Sequence, residues 1–247
     1  MHPHNDPMEA PGTGGRVVGR VVGLWRYPVK SMAGEALDRA EVSWHGLAGD
    51  RRWAFVREGM ERNGFPWLTI REHPGMWGYV PRFADPSRPD ASATLVRTPA
   101  GRELDVTDPE LAAELGHGAR VIKQNRGIFD TFPLSLITTQ TVAALGAMVG
   151  ADLDALRFRP NLLIEAADDT PFAEDTWVGA ELRIGTLRMR VDKRDKRCVM
   201  VNVDPATHHR DPAVLRAIAQ QRQACLGVYG TVVEPGEVAV GDSVTVA

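Results

Sequence analysis

The stretch RVVGRVVGLWRYPV, residues 16–29, is typical of a β-strand, because β-branched side chains recur along it and a Tyr-Pro pair ends it. Further segments share this character and are separated by Gly, Pro and Asp. They are RRWAFVRE, RVIKQN, PNLLIEA, AELRIGTLRMRV, CVMVNV, VYGTVVE and VAVGDSVTV. Many short strands need closure to hide their edges, so the pattern predicts a β-rich, barrel-like protein.

Two segments have helical spacing instead. LITTQTVAALGAMVG begins with threonines that can cap a helix. In DPAVLRAIAQQR, Asp211 can cap, Pro212 takes the first helical position, and Leu215, Ile218 and Ala219 share one apolar face. The predicted class is therefore α+β, dominated by strands, with a few packed helices.

Two regions lack clear periodicity. Residues 1–15, MHPHNDPMEAPGTGG, have too little apolar surface to pack and predict a flexible tail. Residues 82–116 are rich in Pro, Asp and Ala, and predict loops with a short irregular substructure. We place a domain boundary between Gly116 and Arg120, which gives domains over residues 16–118 and 119–247.

Composition excludes several protein classes. Of the 247 residues, 43% are hydrophobic and 25% charged, as in ordinary globular proteins. The net charge of −3 argues against a nucleic-acid-binding protein. No apolar run reaches the roughly 18 residues of a membrane span, and the first residues do not form a signal peptide. We expect a cytoplasmic protein without membrane or nucleic-acid partners.

The cysteine count narrows the possible metal sites. Cys198 and Cys225 are too few for a disulfide framework or a cysteine-only iron–sulfur cluster, which takes four thiolates. CxxC and HExxH zinc motifs do not occur, and nucleotide-binding glycine motifs are missing from strand-to-helix contexts. Any metal site in this protein would therefore take ligands that these cysteine and histidine motifs do not describe.

Cys198 stands directly after four Lys and Arg residues between positions 193 and 197. Positive charge near a thiol stabilises the thiolate, which attacks electrophiles and binds metals. If a strand begins at the cysteine, Cys198, Met200 and Asn202 face away from the core that the intervening valines enter. The alternative is that Cys198 is a small buried hydrophobe beside a solvated basic turn.

Three polar pairs elsewhere are candidates for binding an anion. They are Lys30 and Ser31 in YPVKSM, Arg51 and Arg52 in GLAGDRRWAFV, and Arg159 and Asn161 in RFRPNLLIE. Each pair follows or precedes a predicted strand at a Pro or Gly turn, and cations with polar donors suit a phosphate. Each pair alone also fits an ordinary surface turn.

Taken in order, YPVKS, GDRRWAFV, FRPNLLI and RCVMVNVDP resemble the MOSC family, and the closing GTVVEPGEVAVGDSVTV resembles its last strands. From about Arg16 onward the chain is similar to members that join an N-terminal MOSC β-barrel domain to the MOSC domain. The mitochondrial amidoxime-reducing component and its bacterial relatives are such members. The resemblance implies a MOSC β-barrel domain with a smaller barrel-like domain before it.

The resemblance also implies a cofactor, the molybdenum cofactor, and assigns residues to it. Cys198 matches the cysteine that ligates molybdenum, a soft ligand suited to this centre. The residues that match cofactor-binding positions are Lys30, Ser31, Arg51, Asp130, Thr131, Arg159 and Asn161. If the register slips by one, Arg52 takes the place of Arg51. Pyridoxal phosphate is not expected.

The implied activity is reduction of small N-hydroxylated substrates such as amidoximes and hydroxylamines. Electrons must come from a separate ferredoxin- or cytochrome-type protein, and we expect a monomer. Two alternatives stay open: a carrier that holds the cofactor without turnover, and a sulfur carrier or transferase that uses a Cys198 persulfide. Family members carry small residues just before the Arg-Cys pair, whereas this chain has Asp195 and Lys196.

Overall fold

The computed structural model describes residues 15–60 and 62–246, so the predicted tail lies outside the described residues except for Gly15. Within them, the strands are β1 (Arg16–Arg26), β2 (Glu35–Ala36), β3 (Arg39–Ser43), β4 (Gly46–Leu47), β5 (Trp53–Val56), β6 (Val80–Phe83), β7 (Thr94–Arg97), β8 (Glu103–Asp105), β9 (Arg120–Lys123), β10 (Leu134–Thr138), β11 (Leu162–Ala166), β12 (Glu181–Ile184), β13 (Leu187–Lys196), β14 (Cys225–Glu234), β15 (Gly236–Ala239) and β16 (Ser243–Val246). The α-helices are α1 (Pro109–Leu115), α2 (Thr139–Val149) and α3 (Pro212–Arg222). Short 3₁₀ helices cover Pro74–Gly78, Ala155–Phe158, Ala173–Trp177 and Val199–Asn202.

Seven strands form a closed barrel, which confirms the predicted fold class. Their order is β11-β10-β14-β13-β12-β16-β1, and β1 then pairs with β11 to complete the ring. The ring closes at Gly19, where a Cβ atom would lie 2.5 Å from the Glu165 carbonyl oxygen. Closure leaves no free edge in the ring, which removes the aggregation hazard of exposed edges.

The barrel interior is filled by aliphatic side chains from every part of the ring. They include Val21, Leu136, Ile164, Leu182, Met189, Val228 and Val244. Each fully buried side chain of this kind stabilises the fold by about 1.5–3 kcal/mol. The period-two pattern that predicted the strands is therefore the pattern that fills the barrel.

A second group of elements, called here the N-terminal lobe, contains β5 paired with β9, the sheet β6-β7-β8, and α1. Its own core includes Phe55, Leu68, Met76, Val96 and Leu111. The sheet and α1 correct the interpretation of residues 82–116 as loops. These strands span only three or four residues, which is too short for periodicity to be visible in the sequence.

The two halves of the sequence interleave. β1 belongs to the barrel although it comes first in the chain, and β15 pairs with β3. The predicted boundary near residue 118 therefore divides the sequence into two parts, but strands from both parts share hydrogen-bonded sheets. The exact domain limits stay a prediction.

The two predicted helices are confirmed at their caps. Thr138 accepts a hydrogen bond from the Thr141 backbone N–H at the start of α2, and Asp211 does the same for Ala213 in α3. The buried face of α3 carries Val214 and Ile218, whereas Ala219 is exposed, so that part of the predicted apolar face is wrong. In the described part of the chain, no helix is long and apolar enough to cross a membrane.

Candidate functional site

A cavity of about 410 Å³ lies between one end of the barrel and the N-terminal lobe, within the usual range of about 300–1,000 Å³ for ligand sites. Its wall includes most of the predicted site residues: Lys30, Ser31, Arg51, Asp130, Thr131, Arg159 and Cys198. These residues come from distant segments of the chain, so only the fold brings them together.

The charge of the cavity wall is strongly positive. Its cationic side chains are Lys30, Arg51, Arg71, Arg157, Arg159, Lys196 and Arg197, and its acidic ones are Asp130 and Asp195. A concave wall of one sign concentrates oppositely charged ligands. The cavity therefore suits an anion, although the whole chain carries a net charge of −3.

Lys30 is buried at the turn after β1. Its Nζ contacts Asp130 and donates to the Ile128 carbonyl oxygen at 3.3 Å. Burial lowers the pKa of Lys30, and the Asp130 carboxylate opposes that shift. The exposed Asp130 and Thr131 stand at the cavity mouth, so an anionic ligand would compete with Asp130 for the ammonium group.

Arg51 and Arg159 lie against the same aromatic ring. Their guanidinium carbons are 4.8 Å and 4.1 Å from the Tyr27 ring centroid. Arg51 is ion-paired with the buried Asp50, and Arg159 donates to the Met32 carbonyl oxygen. Burial lowers the pKa of Arg159 to about 10, and the neighbouring Arg51 adds to this effect. Both groups stay positively charged at neutral pH.

Three cavity residues have a left-handed backbone: Ser31, Arg51 and Arg159, with φ of 67°, 48° and 50°. This conformation is strained for residues other than glycine and persists only where the surroundings impose it. For Arg51, its N–H donates to the Tyr27 carbonyl at 2.7 Å and so fixes the turn. Such strain concentrates at functional sites, and here it aims polar side chains into one cavity.

Two other predicted residues lie away from the cavity wall. Arg52 is fully buried, with its Nε 2.8 Å from Asp90, so the structure aims Arg51 and not Arg52 at the cavity. The Asn161 amide is hydrogen-bonded to the Trp25 carbonyl and to the Ser135 backbone N–H. It also donates to Asp50 at 3.3 Å and so helps to position the partner of Arg51. Direct contact between Asn161 and a cofactor stays a prediction.

The predicted strand at Cys198 is wrong. β13 ends at Lys196, and a 3₁₀ helix over Val199–Asn202 follows the cysteine. β14 begins opposite Lys196, and beyond that pair the Arg197 N–H still donates to the Ala224 carbonyl oxygen at 2.8 Å. The backbone then turns to a local hydrogen bond, from the Val201 N–H to the Cys198 carbonyl oxygen at 3.2 Å. Val199 is 42% exposed rather than in the core, whereas Val201 and Val203 are buried as predicted. Cys198 is half-buried and lines the cavity at the start of this helix.

Comparison with known proteins adds the family. Residues 123–245 match the MOSC domain, and residues 18–121 match the MOSC N-terminal beta barrel domain. The chain belongs to the MOSC family. One relative is the mitochondrial amidoxime-reducing component 1 of Homo sapiens, 25% identical over 290 residues, with 92% of this chain and 82% of that protein covered.

A second MOSC relative is the molybdenum cofactor sulfurase of Caenorhabditis briggsae, 24% identical over 258 residues that cover 88% of this chain. The match covers 34% of that protein, so the chain spans about a third of its length. The crystal structure of the YUAD protein from Bacillus subtilis has a similar fold, with a TM-score of 0.52 at 13% identity. That similarity covers 93% of this chain and 95% of the other.

Sequence reasoning noted Asp195 and Arg197 beside Cys198 but did not assign them to the site, and it missed Tyr229 entirely. Arg197 donates to the Leu226 and Phe158 carbonyl oxygens at 2.7 Å and 2.8 Å, and Tyr229 and Asp195 also line the wall. The alternation of Leu187, Met189 and Val191 does not lead to Asp195, because Lys193 is exposed and the pairing register shifts between Val191 and Lys193. Tyr229 carries no local signal either, because its position depends on strand pairing.

Proposed function

We propose that this MOSC protein binds the molybdenum cofactor and reduces N-hydroxylated substrates such as amidoximes and hydroxylamines, with electrons from a separate donor protein. One observation carries the proposal: the Cys198 thiol shares a cavity with three buried or half-buried cations from distant segments. The thiol is a soft ligand for the metal, and the cations suit the phosphate and polar groups of the cofactor.

The donor set fits a metal that brings most of its own ligands. Among the described residues, no group of three or more His, Cys, Asp or Glu side chains could hold a metal ion. Cys198 alone therefore suits a metal already held by the dithiolene sulfurs of a cofactor, and not a bare ion. Lys30, Arg51 and Arg159 would hold the anionic part of the group.

When bound, the cofactor would supply the two-electron chemistry that cleaves an N–O bond. The chain's own residues would bind, orient and shield the reactants. Arg51 and Arg159 stack on the rigid Tyr27 ring, which preorganises both positive charges before the ligand arrives. The backbone of Cys198 is extended and leads directly into the 3₁₀ helix over Val199–Asn202.

The named relatives support two readings of this cavity. Coverage of 82% of an amidoxime-reducing component favours reduction, because most of that protein aligns with this chain. The relation to molybdenum cofactor sulfurases favours sulfur transfer through a Cys198 persulfide as the second candidate. A carrier without turnover shares the same cavity. Cytoplasmic location, a monomeric state and the absence of nucleic-acid and membrane partners stay predictions.

The first experiment measures molybdenum and pterin per chain in protein purified from cells that make the cofactor. We expect near-equimolar amounts in the wild type and loss of metal in Cys198→Ala. Cys225→Ala is the matched control, because Cys225 is the second free cysteine and lies outside the cavity wall. Wild-type protein that folds without metal or pterin would contradict the proposed cofactor binding. Sulfane sulfur on Cys198 without molybdenum would favour sulfur transfer.

The loaded protein is then assayed for benzamidoxime reduction with reduced methyl viologen as electron donor. Reduction that depends on Cys198 supports the reductase. A protein that keeps its cofactor but reduces no N-hydroxylated compound under any donor is a carrier instead.

A further inference from the structure

Asp195 is a buried carboxyl that the proposed function does not use. It lies on β13, three residues before Cys198, and lines the cavity with only 1% of its surface exposed. The Tyr229 hydroxyl lies close enough to interact with this carboxyl as a hydrogen-bond donor, yet neither carboxyl oxygen has a fully aligned hydrogen bond within the described residues. The Arg197 Nη1 is 2.7 Å from Oδ2, as an ion pair without hydrogen-bond alignment. Buried acceptors left in this state cost stability, so they call for an explanation.

Four charged or titratable groups face Asp195. Arg197 belongs to the same chain segment, Tyr229 lies on the paired strand β14, Arg51 on the turn before β5, and Asp130 at the cavity mouth. Burial raises the pKa of Asp195 to about 6, and Arg197 and Tyr229 lower it only in part. The carboxyl can therefore gain and lose a proton close to neutral pH.

Tyr229, Asp130 and the nearby histidines each differ from Asp195 in one of these respects. Burial raises the pKa of Tyr229, so its hydroxyl keeps its proton at neutral pH. Asp130 is half exposed and contacts Lys30, so it is not buried in the cavity as Asp195 is. His208 and His209 are not part of the cavity wall. Among these groups, Asp195 combines burial, a place on the wall and carboxyl oxygens whose contacts with Arg197 and Tyr229 lack full hydrogen-bond alignment.

We propose that the Asp195 carboxyl is a proton donor to the substrate in the cavity. The inference rests on the proposed N-reduction, in which an amidoxime, two electrons and two protons give an amidine and water. The N–O bond breaks, and the electrons come from a one-electron donor protein. Asp195 gives one proton to the departing oxygen, which leaves as water. Solvent supplies the second proton to nitrogen and reprotonates Asp195.

The first test needs no cofactor. Because the pKa of Asp195 in the folded state lies above its ordinary value of 3.8, the folded protein holds this proton more tightly than the unfolded chain. The group's contribution to stability is then fully present below about pH 4 and is lost as pH rises through about 6. We expect Asp195→Asn to raise the Tm of the apoprotein by several degrees at pH 8 and to change it little at pH 5.

The matched control is Asp192→Asn, a second aspartate on β13 that pairs with Arg190 and Thr231 outside the cavity wall. This variant should not gain stability between pH 5 and pH 8. An equal change in Tm at both pH values for Asp195→Asn would show that the carboxyl is ionised throughout, which would overturn the proton-donor role.

The second test uses protein loaded with the molybdenum cofactor, reduced methyl viologen and benzamidoxime. Removing a general acid typically costs about 10²–10⁴-fold in rate, so we expect Asp195→Asn to lower kcat about 100-fold while KM stays within about threefold. The fall of wild-type kcat above about pH 6 should disappear. Asp195→Glu should restore part of the rate and of the pH profile, and Asp192→Asn should match the wild type.

The outcomes separate the two proposals. Wild-type protein that holds metal and pterin but reduces nothing overturns the proposed function, and the proton-donor role with it. Active wild type with equally active Asp195→Asn and an unchanged pH profile overturns only the role of Asp195. Metal and pterin are measured in every variant, so that a lost cofactor is not mistaken for a lost proton donor.

Discussion

Two buried carboxyls have different surroundings: Glu174 lies on the 3₁₀ helix over Ala173–Trp177 and bonds to the start of α2, and Asp195 lies on the cavity wall. Glu174 is fully buried near the start of α2 and accepts hydrogen bonds from the Thr138 and Thr141 hydroxyls at 2.9 Å and 2.8 Å. Asp195 is equally buried but has no well-aligned hydrogen bond within the described residues. Burial raises the pKa of both. The Glu174 carboxyl joins two elements through aligned hydrogen bonds, whereas the Asp195 carboxyl is ion-paired with Arg197 and keeps hydrogen-bonding capacity toward the cavity.

The backbone shows the same contrast. In the described barrel strands, which surround an aliphatic core, the positive φ angle belongs to a glycine, Gly227. The cavity wall instead contains three non-glycine residues in left-handed conformations, Ser31, Arg51 and Arg159. Strain and buried charge both lower stability, and proteins accept these costs where a site requires them.

The largest effect should come from removing the satisfied carboxyl. Glu174→Ala leaves the Thr138 and Thr141 hydroxyls without their buried partner and opens a void. We expect the free energy of unfolding to fall by about 3 kcal/mol, measured by urea denaturation. Molybdenum per folded chain should stay at the wild-type level. A loss of stability below about 1 kcal/mol would contradict the structural role given to Glu174.

Arg51 and Arg52 are adjacent in the chain, but only Arg51 lies on the cavity wall, so the two residues compare a site position with a structural one. Arg51→Ala removes a cation from the cavity, and we expect cofactor retention to fall at least about tenfold, since charge-assisted hydrogen bonds contribute about 1.5–3 kcal/mol. Arg52→Ala is the control, because Arg52 pairs with Asp90 outside the wall. It should lower the free energy of unfolding and keep the cofactor. If Arg52→Ala loses the cofactor and Arg51→Ala retains it, the assignment is reversed.

The smallest effect concerns strain. Ser31→Gly should raise the free energy of unfolding by about 0.5–1 kcal/mol, because glycine adopts the left-handed conformation without a steric penalty. The same change should weaken cofactor retention, since the hydroxyl is lost. Gln223→Gly, at the left-handed end of α3, is the control and should gain stability without affecting retention. Equal retention in both variants would show that Ser31 does not contact the cofactor.

Sequence reasoning was most successful where structure depends on neighbouring residues. The alternation in residues 16–26 predicted β1, and the helix caps Thr138 and Asp211 were visible as local signals. Four short motifs pointed to the family that comparison then confirmed. The short strands β7 and β8 were missed because three or four residues are too few to establish a period.

Local sequence patterns were enough to predict the strand-dominated fold class and the capped helices, and the sequence lists the residue types available for a site. Tertiary structure alone decided that β1 closes the barrel between β11 and β16, that Cys198 starts a 3₁₀ helix, and that Arg51 rather than Arg52 faces the cavity. It also decided the raised pKa of Asp195. Strand partners and desolvation come from residues far away in sequence, so no local pattern encodes them.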